Sequence, residues 1–139
     1  MYVNTEKIKF KTTGDADVKD ITNLIDRAVQ DCNMESGTVT IFVPGATGAL
    51  TTIEYEPGLV KDLKEFMEKV LPLSGKYNHN ITHPDKNGHS HIRASMVGPS
   101  LVVPFSGKKL LLGVFQQIIF VDFDNRPRER EVILQIMGK

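Results

Sequence analysis

All four histidines of this 139-residue chain fall in one stretch, NHNITHPDKNGHSH at 78–91: His79, His83, His89 and His91. Neutral imidazole ligates divalent metals and shuttles protons near pH 7. Three uses compete: a metal or catalytic site, a pH-sensitive loop, or a chance cluster on a solvated connector. If residue 91 opens a strand, His89 and His91 project from one face, because side chains repeat every second residue. The pair then converges on one ion or one substrate group, and Asn87 and Gly88 supply the turn that aims it. A third ligand comes from His79, from His83 or from a distant carboxylate. His83, before Pro84, is expected on the exposed part of the loop. H-x-H without cysteines or an H-E-x-x-H helix is a weaker metal signal than a zinc-finger or zincin spacing.

Two further constellations carry charge. In TTIEYEPG (51–58), Glu54 and Glu56 lie two apart on an expected strand, with Asp62 one turn into the next helix. Paired carboxylates raise a pKa or grip a cation. Glu56 stands where a helix-start carboxylate belongs, which is the plainer reading of that residue. In DNRPRER (124–130), Arg126, Arg128 and Arg130 alternate. Extended, they share a face suited to phosphate or pyrophosphate; the plainer reading is a hairpin tip paired with Asp122, Asp124 and Glu129. GATGA (45–49) admits close backbone approach to an anion but matches neither a P-loop nor a dinucleotide fingerprint.

The elements that must position these groups follow from periodicity. Residues 3–12 alternate as a half-buried strand with Ile8, Phe10 and Thr12 on one side. Apolar spacing predicts a helix over 17–32 with Asp15 or Asp17 at its start, and Ser36-Gly37 to stop it. TVTIFV (38–43) and LTTIEYE (50–56) are strands, and Pro57 begins a helix that ends before Pro72. The histidine stretch then lies on a polar connector, long for a compact domain and therefore a functional candidate. From His91 onward HIRASMV, LVVPF, KLLLGVFQQIIFVDF and REREVILQIM read as strands, Gly113 bending or dividing the third. The expected architecture is α+β: an antiparallel, sandwich-like sheet core with two main helices, in one domain spanning 1–139.

Seventeen basic residues balance seventeen acidic ones, which argues against a nucleic-acid or anionic-membrane binder. The chain shows no secretory leader pattern and no apolar run of membrane-spanning length, so a cytoplasmic protein without a membrane partner is expected. The single cysteine, Cys32, reads as a buried, inert thiol.

Three stretches, TTIEYEPGLVKDL (51–63), NGHSHIRASMVGPSLVVPF (87–105) and LLLGVFQQIIFVDFDNRPRER (110–130), resemble in order and spacing the YjbQ-like family, described as secondary thiamine-phosphate synthases. The resemblance runs from about Val39 to the C-terminus. It implies a compact α+β fold and a homo-oligomer, a trimer, with pockets between subunits. It also implies a transferase that joins a hydroxymethylpyrimidine diphosphate to a thiazole phosphate, releasing pyrophosphate, as a weak or secondary activity. The positions it carries over are Glu54, Asp62, His79, Asn87, His91, Gln116 and Arg126; His89 belongs to a subset with Gly-His-Ser-His. Two departures stand out: many relatives have histidine where Gly45 stands, and Trp-Gln where Phe115-Gln116 stands.

On this basis His91, His89 and Glu54 are expected as catalytic residues, with Asn87, Gln116, Arg126 and Arg128 on a phosphorylated substrate. His79, His89, His91 and Asp62 are the candidate ligands for Mg²⁺ or Zn²⁺. The competing functions are a metal-dependent phosphate-ester hydrolase and a non-catalytic oligomeric binding module.

Overall fold

A computed structural model describes all 139 residues. Its eight strands form two antiparallel sheets, and four helices attach to them. Strands β1 (Tyr2–Thr12), β8 (Arg128–Gly138), β3 (Ser36–Phe42), β5 (Ser100–Ser106) and β6 (Lys109–Leu110) lie in that order in the larger sheet. The smaller has β7 (Gln117–Asp122) between β2 (Asp17–Asp20) and β4 (Gly48–Ile53). The α+β class and the antiparallel, sandwich-like core are as the sequence implies.

Alternation explains the layering. Val39, Ile41, Val132, Leu134 and Ile136 turn from the larger sheet toward Leu50, Ile118 and Phe120 of the smaller one, forming the main apolar cluster. Helix α1 (Thr22–Asp31) adds Ile25, Ala28 and Val29 to it. The opposite face of the smaller sheet presents Val18, Ala49, Ile119 and Val121 to Met67 of α2 (Pro57–Val70) and Ala94 of α4 (Gly88–Val97). β7 is therefore apolar on both faces, which is why IIFV reads as a continuous run rather than an alternation.

α2 starts as expected. Pro57 occupies its first turn, and the Glu56 carboxylate accepts from the backbone N–H of Gly58 (2.7 Å) and Leu59 (2.9 Å). Those two bonds hold the Glu56 carboxyl below its ordinary pKa. Gly113 does divide the long third segment, separating β6 from β7.

Two expectations need correction. Residues 17–20 are a short strand beside β7, and α1 begins only at Thr22, whose N–H and hydroxyl both reach Asp20. Neither Asp15 nor Asp17 caps it; Asp17 instead accepts from the N–H of Thr13. Ser36-Gly37 opens β3 instead of ending a helix. The second correction governs the site: residues 88–97 form a helix. Buried positions 89, 90, 93 and 94 recur at helical spacing, and the turn at Gly98 (φ 110°) before Pro99 ends it. A third substantial helix thus replaces an expected strand.

Candidate functional site

On a helix, residues two apart diverge by about 200°, so His89 and His91 cannot share a face. His89 turns into the protein, 1% exposed, with its ring 6.3 Å from that of Tyr77. Its Nδ1 is the one buried side-chain nitrogen or oxygen without a hydrogen-bond partner. Burial, aided by the nearby Arg93 charge, holds its pKa below the ordinary histidine value. His91 instead lines an open cavity of about 510 Å³ with Lys76, Tyr77, Asn78, His79 and Ile92. Gly88 lines it too, and glycine is required there: a Cβ would lie 2.5 Å from Cβ of Tyr77.

The histidines that do meet are 79, 83 and 91. A short helix α3 (His79–Thr82) puts His83 one turn beyond His79, and their rings stack at 4.3 Å and 11°. The edge of His91 meets the His79 ring at 4.6 Å and 61°. His83 is therefore part of the cluster, not incidental, although it is exposed and its Nδ1 lies 2.8 Å from the Thr82 hydroxyl. Burial lowers the pKa of His91, and the neighbouring His79 lowers it further; the Asp124 charge and the backbone at Ala46 oppose them.

Beneath the imidazoles lies a buried polar network. Asn87, 3% exposed, sits 3.1 Å from Nε2 of His79 through its Oδ1, and its Nδ2 donates to Asp124 (3.3 Å). Asp124 also accepts from Thr47 (3.3 Å), from the Asn125 N–H (2.8 Å) and twice from Arg128 (2.8 and 2.6 Å). Burial works to raise the Asp124 carboxyl, but these bonds together leave its pKa below the ordinary value. Asp122, fully buried, accepts two bonds from Arg130 (2.7 and 2.8 Å) and one from Thr12 (2.5 Å). Arg130 also donates to Thr47 (2.7 Å), joining the two networks. Asp85, Asn87, Asp124, Asn125 and Arg126 line a wholly polar cleft of about 230 Å³. The Asn87–His79 bond thus divides an imidazole compartment from a polar one.

The sequence of residues 6–139 matches the family described as "UPF0047 protein YjbQ-like". A UPF0047 protein of Archaeoglobus fulgidus is 37% identical over 94% of this chain and 99% of its own length. The chain belongs to the YjbQ-like family. The UPF0047 protein YugU of Bacillus subtilis is 31% identical over 94% of this chain and 97% of its own. A crystal structure of a hypothetical protein from Aeropyrum pernix superposes with a TM-score of 0.91, at 32% identity, over 98% of this chain and 99% of that one. A YbjQ-like protein from Sulfolobus solfataricus superposes at 0.89 with 26% identity, covering 99% and 100%. None of these names states an activity.

The positions that the resemblance carried over split into two groups in this fold. His79, Asn87, His91 and Arg126 gather around the two compartments. Gln116 and Glu54 lie at the other end of the smaller sheet, where Gln117 pairs with Ile53. β4 is six residues long, so the ends are about 20 Å apart. Gln116 is occupied there, accepting from Gly113 (3.0 Å) and donating to Thr52 (3.2 Å). Glu54 and Asp62 are exposed. Of the arginines, 128 and 130 are committed to Asp124 and Asp122, as the charge-pairing reading has it, although β7 and β8 lie in different sheets and form no hairpin; the exposed Arg126 makes no ion pair. Glu129 takes no part in these pairs.

The four residues expected to hold a metal do not converge, because His89 points inward and Asp62 sits on α2. Nowhere in the chain do three or more His, Cys, Asp or Glu side chains come together in a group that could hold a metal ion. Gly45 does adjoin the site: a Cβ there would lie 3.6 Å from Nη1 of Arg130, an ordinary contact. Sequence reasoning missed Asp124 and Asp122 as the floor of the site, and Thr47 as the link between them. Aspartates closing a fully buried strand were the available signal, since a carboxylate there requires a partner.

Proposed function

We propose that the chain is an enzyme acting on phosphorylated small molecules, of the thiamine-phosphate synthase type. The observation that supports it is the junction of the two compartments: an imidazole-lined cavity meets a polar cleft carrying an unpaired arginine across the His79–Asn87 bond. In this reaction the C–O bond between the pyrimidine methylene and the diphosphate breaks, and its electron pair leaves with pyrophosphate. The thiazole nitrogen lone pair then forms the new C–N bond. Such a step needs neutralisation of the leaving group more than it needs a nucleophile. Arg126 and the amide of Asn125, which line the polar cleft, bind the phosphate oxygens in this reading. His79 and His91 face the organic part of the substrate. Within one chain no three His, Cys, Asp or Glu donors come together to hold a metal ion, so no step is routed through a metal.

The same reading makes the protein a homo-oligomer, a trimer, in the cytoplasm. Family positions at opposite ends of one sheet serve one site only if a second copy brings Glu54 or Gln116 beside the imidazoles of the first. The turn holding Gln116 also exposes Val114 (87%) and Phe115 (72%), side chains that an interface would cover. The single buried thiol, Cys32, suits a reducing compartment.

The test supplies the purified protein with hydroxymethylpyrimidine diphosphate and thiazole phosphate and separates the products by chromatography. Thiamine phosphate and pyrophosphate in equal amounts are expected, with Arg126→Ala raising KM for the diphosphate about tenfold. Phosphate release without coupling would move the hydrolase to the front. No turnover of either kind would overturn the enzymatic reading and leave the binding module.

A further inference from the structure

We propose that His79 exchanges protons with the substrate through Nδ1 alone, because Asn87, held by Asp124, keeps the other ring proton fixed on Nε2. This rests on the reading of the His79–His91 cavity as the active site, and it assigns that site its acid–base group and the residue that positions it.

Asp124 is 0% exposed and bonded twice by the guanidinium of Arg128. A carboxylate so paired is ionised and accepts only. The side-chain amide of Asn87 must therefore present its NH₂ to Asp124 Oδ1, and it does, at 3.3 Å. Its oxygen is then left facing Nε2 of His79 at 3.1 Å. An amide oxygen carries no hydrogen, so Nε2 must carry one. Turning the amide over would set its oxygen against the carboxylate, and in a buried residue no water relieves that clash.

With its proton on Nε2, neutral His79 has its lone pair on Nδ1. No group of this chain bonds Nδ1, and that atom is not sealed off, since Nδ1 of His89 is the only buried unpartnered one. His79 itself lines the 510 Å³ cavity. The ring is held in orientation as well as in tautomer, with His83 stacked on its face and the edge of His91 against it. When Nδ1 takes a proton, Asn87, anchored by Asp124, still holds the Nε2–H of the cation in place, as a third group orients a catalytic histidine elsewhere. In the reaction proposed above, the Nδ1–H of that cation passes its proton to the oxygen of the departing pyrophosphate. The C–O electron pair stays on that oxygen, and solvent restores the proton afterwards. His91 has no such chain: Asp124 acts on it only as a nearby charge, with no side chain bonded between them.

The test is ring-nitrogen NMR of the full chain labelled with ¹⁵N-histidine, at a pH where His79 is neutral, with His79 identified by the signals lost in His79→Gln. One tautomer is expected, with hydrogen on Nε2 and a bare Nδ1. In Asn87→Leu the preference should collapse into a mixture, while kcat falls about tenfold to a hundredfold and KM changes little. Hydrogen on Nδ1 in the unaltered protein, or a freely exchanging mixture, overturns the proposal; so does an unchanged preference in Asn87→Leu. If that variant fails to fold, the unaltered protein still decides the matter. The tautomer is read without substrate, so a failed coupling assay beside a locked Nε2–H defeats the function proposed and not the positioning.

Discussion

The two ends of the smaller sheet are built on opposite principles. At one, Asp122 and Asp124 are buried and each meets a guanidinium, and loops 44–47, 76–88 and 124–127 are tied together by side chains. At the other, Glu54 and Asp62 are in solvent, and a turn with bare Val114 and Phe115 is held by Gln116 and little else. The first end is organised within one chain; the second has candidate residue types without a local environment to use them. Pre-organisation needs a low-dielectric, fully partnered surround, and only one end has it.

Substitutions sharpen that contrast, and the largest effect on folding is expected at the buried pair. Asp122→Ala leaves the Arg130 guanidinium buried without its carboxylate and should cost about 3–5 kcal/mol in urea unfolding. A cost below about 1 kcal/mol would show that water reaches the pair and that this end is not closed.

Acidification comes next. His89 and His91 have folded-state pKa values below 6.5, so below that value the unfolded chain binds more protons than the folded one. Stability should therefore be greatest above pH 6.5 and fall as pH drops through the folded values. His89→Gln and His91→Gln should each flatten the decline in chemical denaturation. Asp124 adds a second loss at lower pH, below 3.8, as its carboxyl is protonated. A midpoint that rose between pH 7.5 and 5.5 would contradict the burial of both imidazoles.

The smallest effects belong to the open end. Glu54→Ala and Asp62→Ala should change unfolding free energy by no more than about 0.5 kcal/mol. If Glu54→Ala nonetheless lowers turnover, a neighbouring copy must bring it to the site; turnover equal to the unaltered protein's removes Glu54 from the reaction.

What was legible in the sequence depended on how local its cause was. The start of α2 was readable because Glu56 and Pro57 act within one turn, and β1 because its alternation needs only a sheet with one wet face. The segment at 88–97 misled because His, Ile and Val tolerate strands, and the H-x-H spacing invited a strand geometry. Its buried Arg93 and Ala94, four residues after His89 and Ser90, were the contrary signal. Residues 17–20 failed for a different reason: their spacing fits a helix, but pairing with β7 offers backbone bonds that outweigh local propensity.

By itself, then, the sequence determined the class of the fold, the composition of its core and the identity of one candidate stretch, since these follow from periodicity and residue chemistry. Which histidines meet was decided by tertiary structure alone. Helical twist sends His89 inward while His91 faces the cavity, and chain closure carries Asp124 beneath Asn87 from 37 residues away. No spacing rule encodes that approach, because it is the packing of both sheets that sets the distance.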